Sequence, residues 1–246
     1  GSEMCIRDRV YTFQSKVRYS ELDPERKLSI ASIVDYFQDC STFHSEQLGV
    51  GIDYLEERSL VWVMSYWQIV IDRYPKLCDN ITIGTYPYEF RGFMGFRNFF
   101  MEDDKGERII RANSIWSLMD LKAGRPARPT EEMVKAYVPE PKLPMDYEPR
   151  KISLEGEGRK MPSFTVGKQH LDSNHHVNNG QYIYMAQDYL PEGFSIGQMR
   201  AEYRKSALLH DCIVPEVFEQ EDTLKVSLCD GAGQPYAVVE FRKQKQ

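Results

Sequence analysis

The chain has 246 residues, 41% of them hydrophobic, and sets 31 Lys and Arg against 37 Asp and Glu for a formal net charge of -6. That length admits one large core or two ordinary ones, and the negative balance argues against general affinity for phosphate backbones unless a strong local basic patch opposes it. The longest nearly apolar run, residues 60–71, is broken by Ser65 and Gln68 and falls short of the roughly 20 residues that cross a bilayer. With no secretory signal pattern, a cytoplasmic protein is expected, whose widely spaced cysteines (Cys5, Cys40, Cys78, Cys212 and Cys229) read as free thiols rather than a disulfide framework or zinc knuckle.

Residues 1–9 show no apolar period; Gly1 and Ser2 read as an expression scar and Met4 to Asp8 resembles a translated sequencing adapter, so the fold is expected to start near residue 10. An extended segment, 11–19, leads through a polar loop containing Asp23 into a helix whose Ile30, Ile33, Val34, Phe37, Ser41 and His44 share one stripe. Ser29 is the predicted N-cap and Gly49 the predicted stop. Strands are predicted at 60–71, 80–91, 96–103 and 109–121, separated by turn chemistry such as Asp104-Lys105-Gly106. Residues 126–162 are rich in proline and charge, as expected of a surface linker.

Beyond the linker the plan recurs. Sliding the chain so that Asp23 lies on Asp172 also lays Leu28 on Val177 and Gln38-Asp39 on Gln187-Asp188 without a gap. An extended segment, 163–170, precedes a loop and a helix carrying Tyr182, Met185, Ala186 and Tyr189 on one stripe, with Asn178 as N-cap and Pro191 as stop. Strands follow at 197–208, 213–220, 223–229 and 236–242, with a turn at 230–233. The reading is an α+β fold, in which a helix followed by a curved antiparallel sheet occurs twice. It gives a first domain at 10–130, a linker at 131–162 and a second domain at 163–246.

The second loop, Leu171-Asp172-Ser173-Asn174-His175-His176-Val177-Asn178-Asn179-Gly180, holds a carboxylate, amides and imidazoles. The same register in the first copy holds Asp23, Glu25 and Lys27, so only one copy offers a base titrating near neutrality. Helix capping accounts for Asp172 or Asn178. It leaves Asn174 and His176 unexplained, whose alternate positions would share a face of an extended segment, with His175 on the other. Local chemistry thus leaves both a polar turn and a catalytic loop open.

The loop, together with Gln68 to Pro75, Trp116 to Pro129 and Glu202-Tyr203-Arg204-Lys205, resembles the acyl-acyl-carrier-protein thioesterases of bacteria and plant plastids, over residues 11–241. No plastid transit segment is visible, which points to the bacterial branch. The resemblance implies two tandem hotdog domains, an acyl-chain pocket in the first and a catalytic loop in the second. The family's catalytic aspartate, asparagine and histidine fall on Asp172, Asn174 and His176. Where the plant enzymes have Glu-Cys this chain has Ser206-Ala207, which leaves a cysteine-nucleophile mechanism without its thiol; Glu202 is a carboxylate in the same strand.

The implied reaction is hydrolysis of fatty acyl thioesters on acyl carrier protein, with no metal or organic cofactor. In it His176 is the general base, Asn174 positions water or substrate, and Asp172 either orients His176 or attacks the thioester. Backbone N–H groups of Asn178 to Gly180 are candidates for the oxyanion. Met64, Trp67, Phe90, Phe93, Met94, Phe96, Phe99 and Trp116 are candidate pocket walls, most of them core. Two basic runs, Lys122, Arg125 and Arg128, and Arg200, Arg204 and Lys205, are candidates for docking the acidic carrier; a homodimer is left open. The rival readings are an acyl-CoA thioesterase, a catalytically silent acyl-binding module, and a hotdog dehydratase, which the Asp-x-Asn-x-His order fits poorly.

Overall fold

The computed structural model describes residues 9–246, which form two compact units. The first comprises the described residues up to Met64 with Asp72–Tyr147; the second comprises Ser65–Ile71 with Glu148–Gln246. Cys5 and the adapter-like residues lie outside the described part, within which Cys40, Cys78, Cys212 and Cys229 are free thiols.

In the first unit, β1 (Tyr11–Lys16), β3 (Asn80–Arg91), β4 (Met94–Glu102) and β5 (Arg108–Asp120) lie side by side in that order, all antiparallel, with the short β6 (Arg125–Pro126) on β5. Directly opposed residues present side chains to one face, and the row Phe13, Ile83, Met101, Ile110 runs across these strands. Over the sheet lies α1 (Ile30–Gln47), packed on β1 and β3. Its predicted stripe is buried at Ile30, Ile33, Val34, Phe37 and His44, and Phe37 meets Phe99 with ring centroids 5.2 Å apart. Ser29 caps the helix by accepting the Ser32 N–H at 3.1 Å, and Gly49 ends it in the left-handed region at φ 75°. Two shorter helices, α2 (Ile52–Glu57) and α3 (Glu131–Ala136), complete the unit with the opening residues of β2 (Leu60–Ile71).

The second unit repeats the arrangement. The remainder of β2 is followed by β9 (Ile196–Tyr203), β12 (Pro235–Lys243), β11 (Thr223–Cys229), β10 (Cys212–Glu219) and β7 (Arg159–Lys160), with β8 (Phe164–Thr165) on β10. Here the row Ile69, Met199, Phe241, Leu224 crosses the strands, and α4 (Asn179–Gln187) packs on β11 and β12. Each unit is therefore a helix laid on an antiparallel sheet, the α+β hotdog plan.

Two stretches add to the expected plan or depart from it. The proline-rich segment runs mostly exposed over the surface, as expected, but it is pinned down at four buried residues, Met133, Tyr137, Leu143 and Ile152. On the first unit the reason is the buried Asn98, whose amide accepts the Leu143 N–H at 2.9 Å and donates to the Tyr147 hydroxyl and the Ala112 carbonyl, each at 3.1 Å. A buried amide left without partners would be costly, and the segment supplies them. In the second unit β9 stops at Tyr203 instead of continuing to residue 208, because residues 207–208 pair with the loop before α4.

Candidate active site

The loop that carries Asp172, Asn174 and His176 lies wholly in the second unit, between a 3₁₀ turn at Lys168–His170 and α4. Its backbone is not extended. Asp172 N–H donates to the His176 carbonyl at 2.8 Å and His175 N–H to the Asp172 carbonyl at 3.1 Å, closing a tight loop. Inside it Asp172 Oδ1 accepts the N–H groups of Asn174 at 2.8 Å and His176 at 3.2 Å. His175 sits in the left-handed region at φ 62°. The alternation argument for a shared face therefore does not describe this segment; the tight turn sets the side-chain directions. Asn174, His175 and His176 are exposed and Asp172 is half-buried beneath them.

The loop is stitched to the segment that follows β9. Val177 N–H donates to the Ala207 carbonyl at 3.1 Å, and His176 bridges to Leu208. Ala207 N–H in turn donates to the Tyr182 hydroxyl at 2.9 Å, and the Tyr203 hydroxyl donates to the Asn179 carbonyl at 3.0 Å. Burial pushes the Tyr182 hydroxyl up to about 12 and raises Tyr203 as well, so both are neutral struts. Sequence reasoning placed Tyr182 in a helix stripe and Tyr203 in a strand without seeing that they join across the chain. Ser206, at the position of the plant-type carboxylate, is exposed, while Ala207 is buried with both its N–H and its carbonyl engaged.

At the helix start, Asn178 Oδ1 accepts the Gly180 N–H at 2.9 Å, as predicted for an N-cap, and Asn178 N–H donates to the His170 carbonyl at 2.9 Å. Two of the candidate oxyanion donors are thereby occupied, leaving Asn179. Among the described residues no group of three His, Cys, Asp or Glu side chains is placed to hold a metal ion.

Other expectations change with the structure. Arg200 is 6% exposed and clasps Glu240 through Nε and Nη2, both at 2.9 Å, while Nη1 donates to the Pro149 carbonyl. It is a buried structural cation and presents nothing to a carrier. Arg204 pairs with Glu202 at 3.2 Å and Lys205 with Asp230, whereas Lys122, Arg125 and Arg128 are exposed in the first unit. Glu202 Oε1 also accepts the Ile152 N–H at 3.2 Å, so that carboxylate secures the preceding segment. Among the proposed pocket walls, Trp67 belongs to the second unit, since it pairs with Ala201 on β9. Phe93 is 40% exposed at a hairpin tip, and Phe90 packs on the cluster of Val50, Leu118, Met133 and Tyr137. Met64 and Phe99 are buried in the first unit.

The family model of the acyl-ACP thioesterase N-terminal domain matches residues 8–137. Acyl-(acyl-carrier-protein) hydrolase FATB1 of Cuphea viscosissima is 26% identical over 253 residues, covering 95% of this chain and 59% of its own length. FATB3 of the same plant is 29% identical over 194 residues, covering 74% of this chain and 47% of its own. The chain thus spans about half the length of the curated relatives it matches. In shape it is similar to the acyl-ACP thioesterase from Bacteroides thetaiotaomicron, with a TM-score of 0.90 at 21% identity over 97% of this chain and 99% of that one; at that identity the likeness speaks for the fold. The match over more than half of the chain, joined to the repeated helix-on-sheet plan, places this protein in the acyl-ACP thioesterase family.

Proposed function

We propose that the protein hydrolyses fatty acyl thioesters carried on acyl carrier protein, releasing free fatty acid and the carrier thiol and so ending chain growth in fatty acid synthesis. The observation that carries this reading is the asymmetry of the repeat. The loop at Asp172 presents an exposed amide and an exposed imidazole, whereas at Asp23 the same positions hold Glu25 and Lys27, which pair with each other at 2.9 Å. One copy keeps reactive groups facing outward; the other spends them internally.

In the proposed mechanism His176 takes a proton from water as the water oxygen attacks the thioester carbon, with Asn174 holding water or substrate and Asp172 supporting the pair. The carbon–sulfur bond breaks, and the thiolate, a good leaving group, needs little acid assistance. Asn179 N–H is the proposed oxyanion donor, reinforced by the positive end of α4. We place the acyl-chain pocket in the first unit, and dock the acidic carrier on the exposed Lys122, Arg125 and Arg128, since opposite local charge offsets the repulsion between two acidic proteins. A cytoplasmic setting and a homodimer belong to the same proposal, the first supported by the free thiols.

The test is hydrolysis of one acyl group presented on carrier protein and on coenzyme A, with the parent and His176→Ala. Preference for the carrier supports the proposal and preference for coenzyme A replaces it with an acyl-CoA thioesterase. Binding without turnover would make the protein an acyl-binding module.

A further inference from the structure

Each unit holds a buried arginine, and the two are satisfied differently. Arg200, in the second unit, spends Nη1 on the Pro149 carbonyl and turns its Nε–Nη2 edge to the Glu240 carboxylate, all three contacts at 2.9 Å. Arg97, on β4 of the first unit, is 8% exposed. Its Nη1 donates to His44 Nδ1 at 3.0 Å and to Thr85 Oγ1 at 3.1 Å. Among the described residues no carboxylate pairs with Arg97, and its Nε and Nη2 donate no hydrogen bond.

The neighbours do not supply the missing charge. His44 is neutral, since its Nδ1 accepts from a group that can only donate, and burial pushes the Cys40 thiol up to about 12. Tyr137 lays its ring 5.3 Å from the guanidinium carbon and shares a hydrogen bond with Ser45, while Tyr11 stacks on the His44 ring. The negative end of α1 lies on this side, because His44 is in its last turn, but a helix terminus carries only about half an elementary charge. A guanidinium cannot shed its proton to escape, and a buried charge is stable only when paired. The open Nε–Nη2 edge is the fork that matches a carboxylate bidentately, as Arg200 demonstrates on Glu240. Beside it the interior turns apolar. Phe37, on the α1 stripe with His44, meets Phe99, two residues along β4 from Arg97. Such surroundings suit an anion that carries an alkyl chain better than a small inorganic one.

We infer that Arg97 is a carboxylate-binding site inside the first unit, which takes through Nε and Nη2 the carboxylate of an alkyl chain in the apolar surroundings of Phe37 and Phe99. Two sources present that chemistry. One is a free fatty acid entering carboxylate first; the other is an acyl thioester whose chain ends in a second carboxylate. The choice of an alkyl carboxylate over other anions rests on the proposed hydrolysis, which handles such chains, whereas the unpaired guanidinium stands without it.

The first test needs no variant: calorimetric titration of the parent with decanoate and with decanol, which match in chain length and differ in charge. Decanoate should bind at least about tenfold more tightly, the scale of a hydrogen-bonded charge pair; equal binding, or none by either, overturns the inference. Arg97→Lys keeps the charge but loses the fork, and Arg97→Met removes both, so the preference for decanoate should shrink in the first and vanish in the second. A preference that survives Arg97→Met refutes the site. Should neither variant fold, nuclear magnetic resonance of the parent with ¹³C-labelled decanoate decides: contact between its α-methylene protons and the Tyr137 ring is expected, and a bound decanoate without that contact sits elsewhere. The sources are separated by hydrolysis of decanoyl and 9-carboxynonanoyl carrier protein. A higher kcat/KM for the carboxyl-ended chain, lost in Arg97→Met, assigns the site to substrate. Preference for decanoyl, with inhibition by free decanoate that Arg97→Met relieves, assigns it to the released acid. Failure of the parent to hydrolyse any acyl thioester would sink the functional proposal and leave the binding result standing.

Discussion

His176 is exposed, and what ties it to the fold is its backbone, through the Asp172 carboxylate and the bridge to Leu208. Removing the imidazole should therefore leave the fold alone. We expect His176→Ala to lower kcat/KM by about 10²-fold or more, the usual scale for losing a general base, with an unchanged unfolding temperature; near-parental activity would make the histidine a loop residue only. His175, its neighbour, is the reverse case. It occupies a left-handed conformation that glycine fills in other tight turns, at Gly106 and Gly233, and a side chain there costs about 1 kcal/mol. His175→Gly is expected to raise stability by up to about that amount, less the extra entropy glycine brings to the unfolded chain, and urea unfolding would show it. A clear loss of stability would mean that the imidazole at 175 makes contacts worth more than the strain.

At the scale of elements, the active loop is held by α4 on one side and the segment following β9 on the other. Tyr182 on α4 accepts the buried Ala207 N–H, and Ala207 in turn accepts the Val177 N–H. Tyr182→Phe leaves that amide without a partner, which costs about 1–3 kcal/mol, and frees the segment at 207–208 that fixes residues 176–177. We expect a lowered unfolding temperature together with a several-fold fall in kcat and a smaller change in KM. A Tyr182→Phe protein that matches its parent in both respects would show that the stitching does not position the loop. The same scale explains why β9 stops where it does: beyond Tyr203 the backbone groups of residues 207–208 serve the loop instead of the sheet.

For the molecule as a whole, the buried His44 ties stability to pH. It is 6% exposed, its Nδ1 accepts from Arg97 Nη1 at 3.0 Å, and burial together with the Arg97 charge pushes its pKa down to about 3. An unfolded histidine titrates near 6.5. Between those values the unfolded chain binds a proton that the folded chain refuses, so stability is full above about 6.5 and is lost as the pH falls toward 3. By pH 5 the loss amounts to about 2 kcal/mol. Asp35 is exposed on α1, and partial desolvation together with the nearby charges of Asp39 and Glu21 raises its carboxyl, so it works in the opposite sense over part of that window. The comparison must therefore be between the parent and His44→Gln, which keeps an acceptor for Arg97 and removes the titration. Urea unfolding at pH 7 and pH 5 should show the smaller loss in the variant, and equal losses would exclude His44 as the sensor.

What the sequence by itself determined was whatever depends on neighbours in the chain. The helix stripe from Ile30 to His44, the caps at Ser29 and Asn178, the glycine turns at Gly106 and Gly233, and the overlay of Asp23 on Asp172 are all local patterns, because backbone sterics, capping and side-chain period act over a few residues. The left-handed turn at His175 escaped notice because no glycine marks it. Tertiary structure decided the rest: that Arg200 is clasped by Glu240 rather than offered to a carrier, that Trp67 pairs with Ala201, that Leu143 is drawn in by Asn98, and that Ala207 braces the active loop. Each depends on a partner far away in sequence. An alternating strand shows that its two faces differ, but which face is covered, and by which distant residue, is settled only when the strands pair and the buried polar groups find their hydrogen-bonding partners.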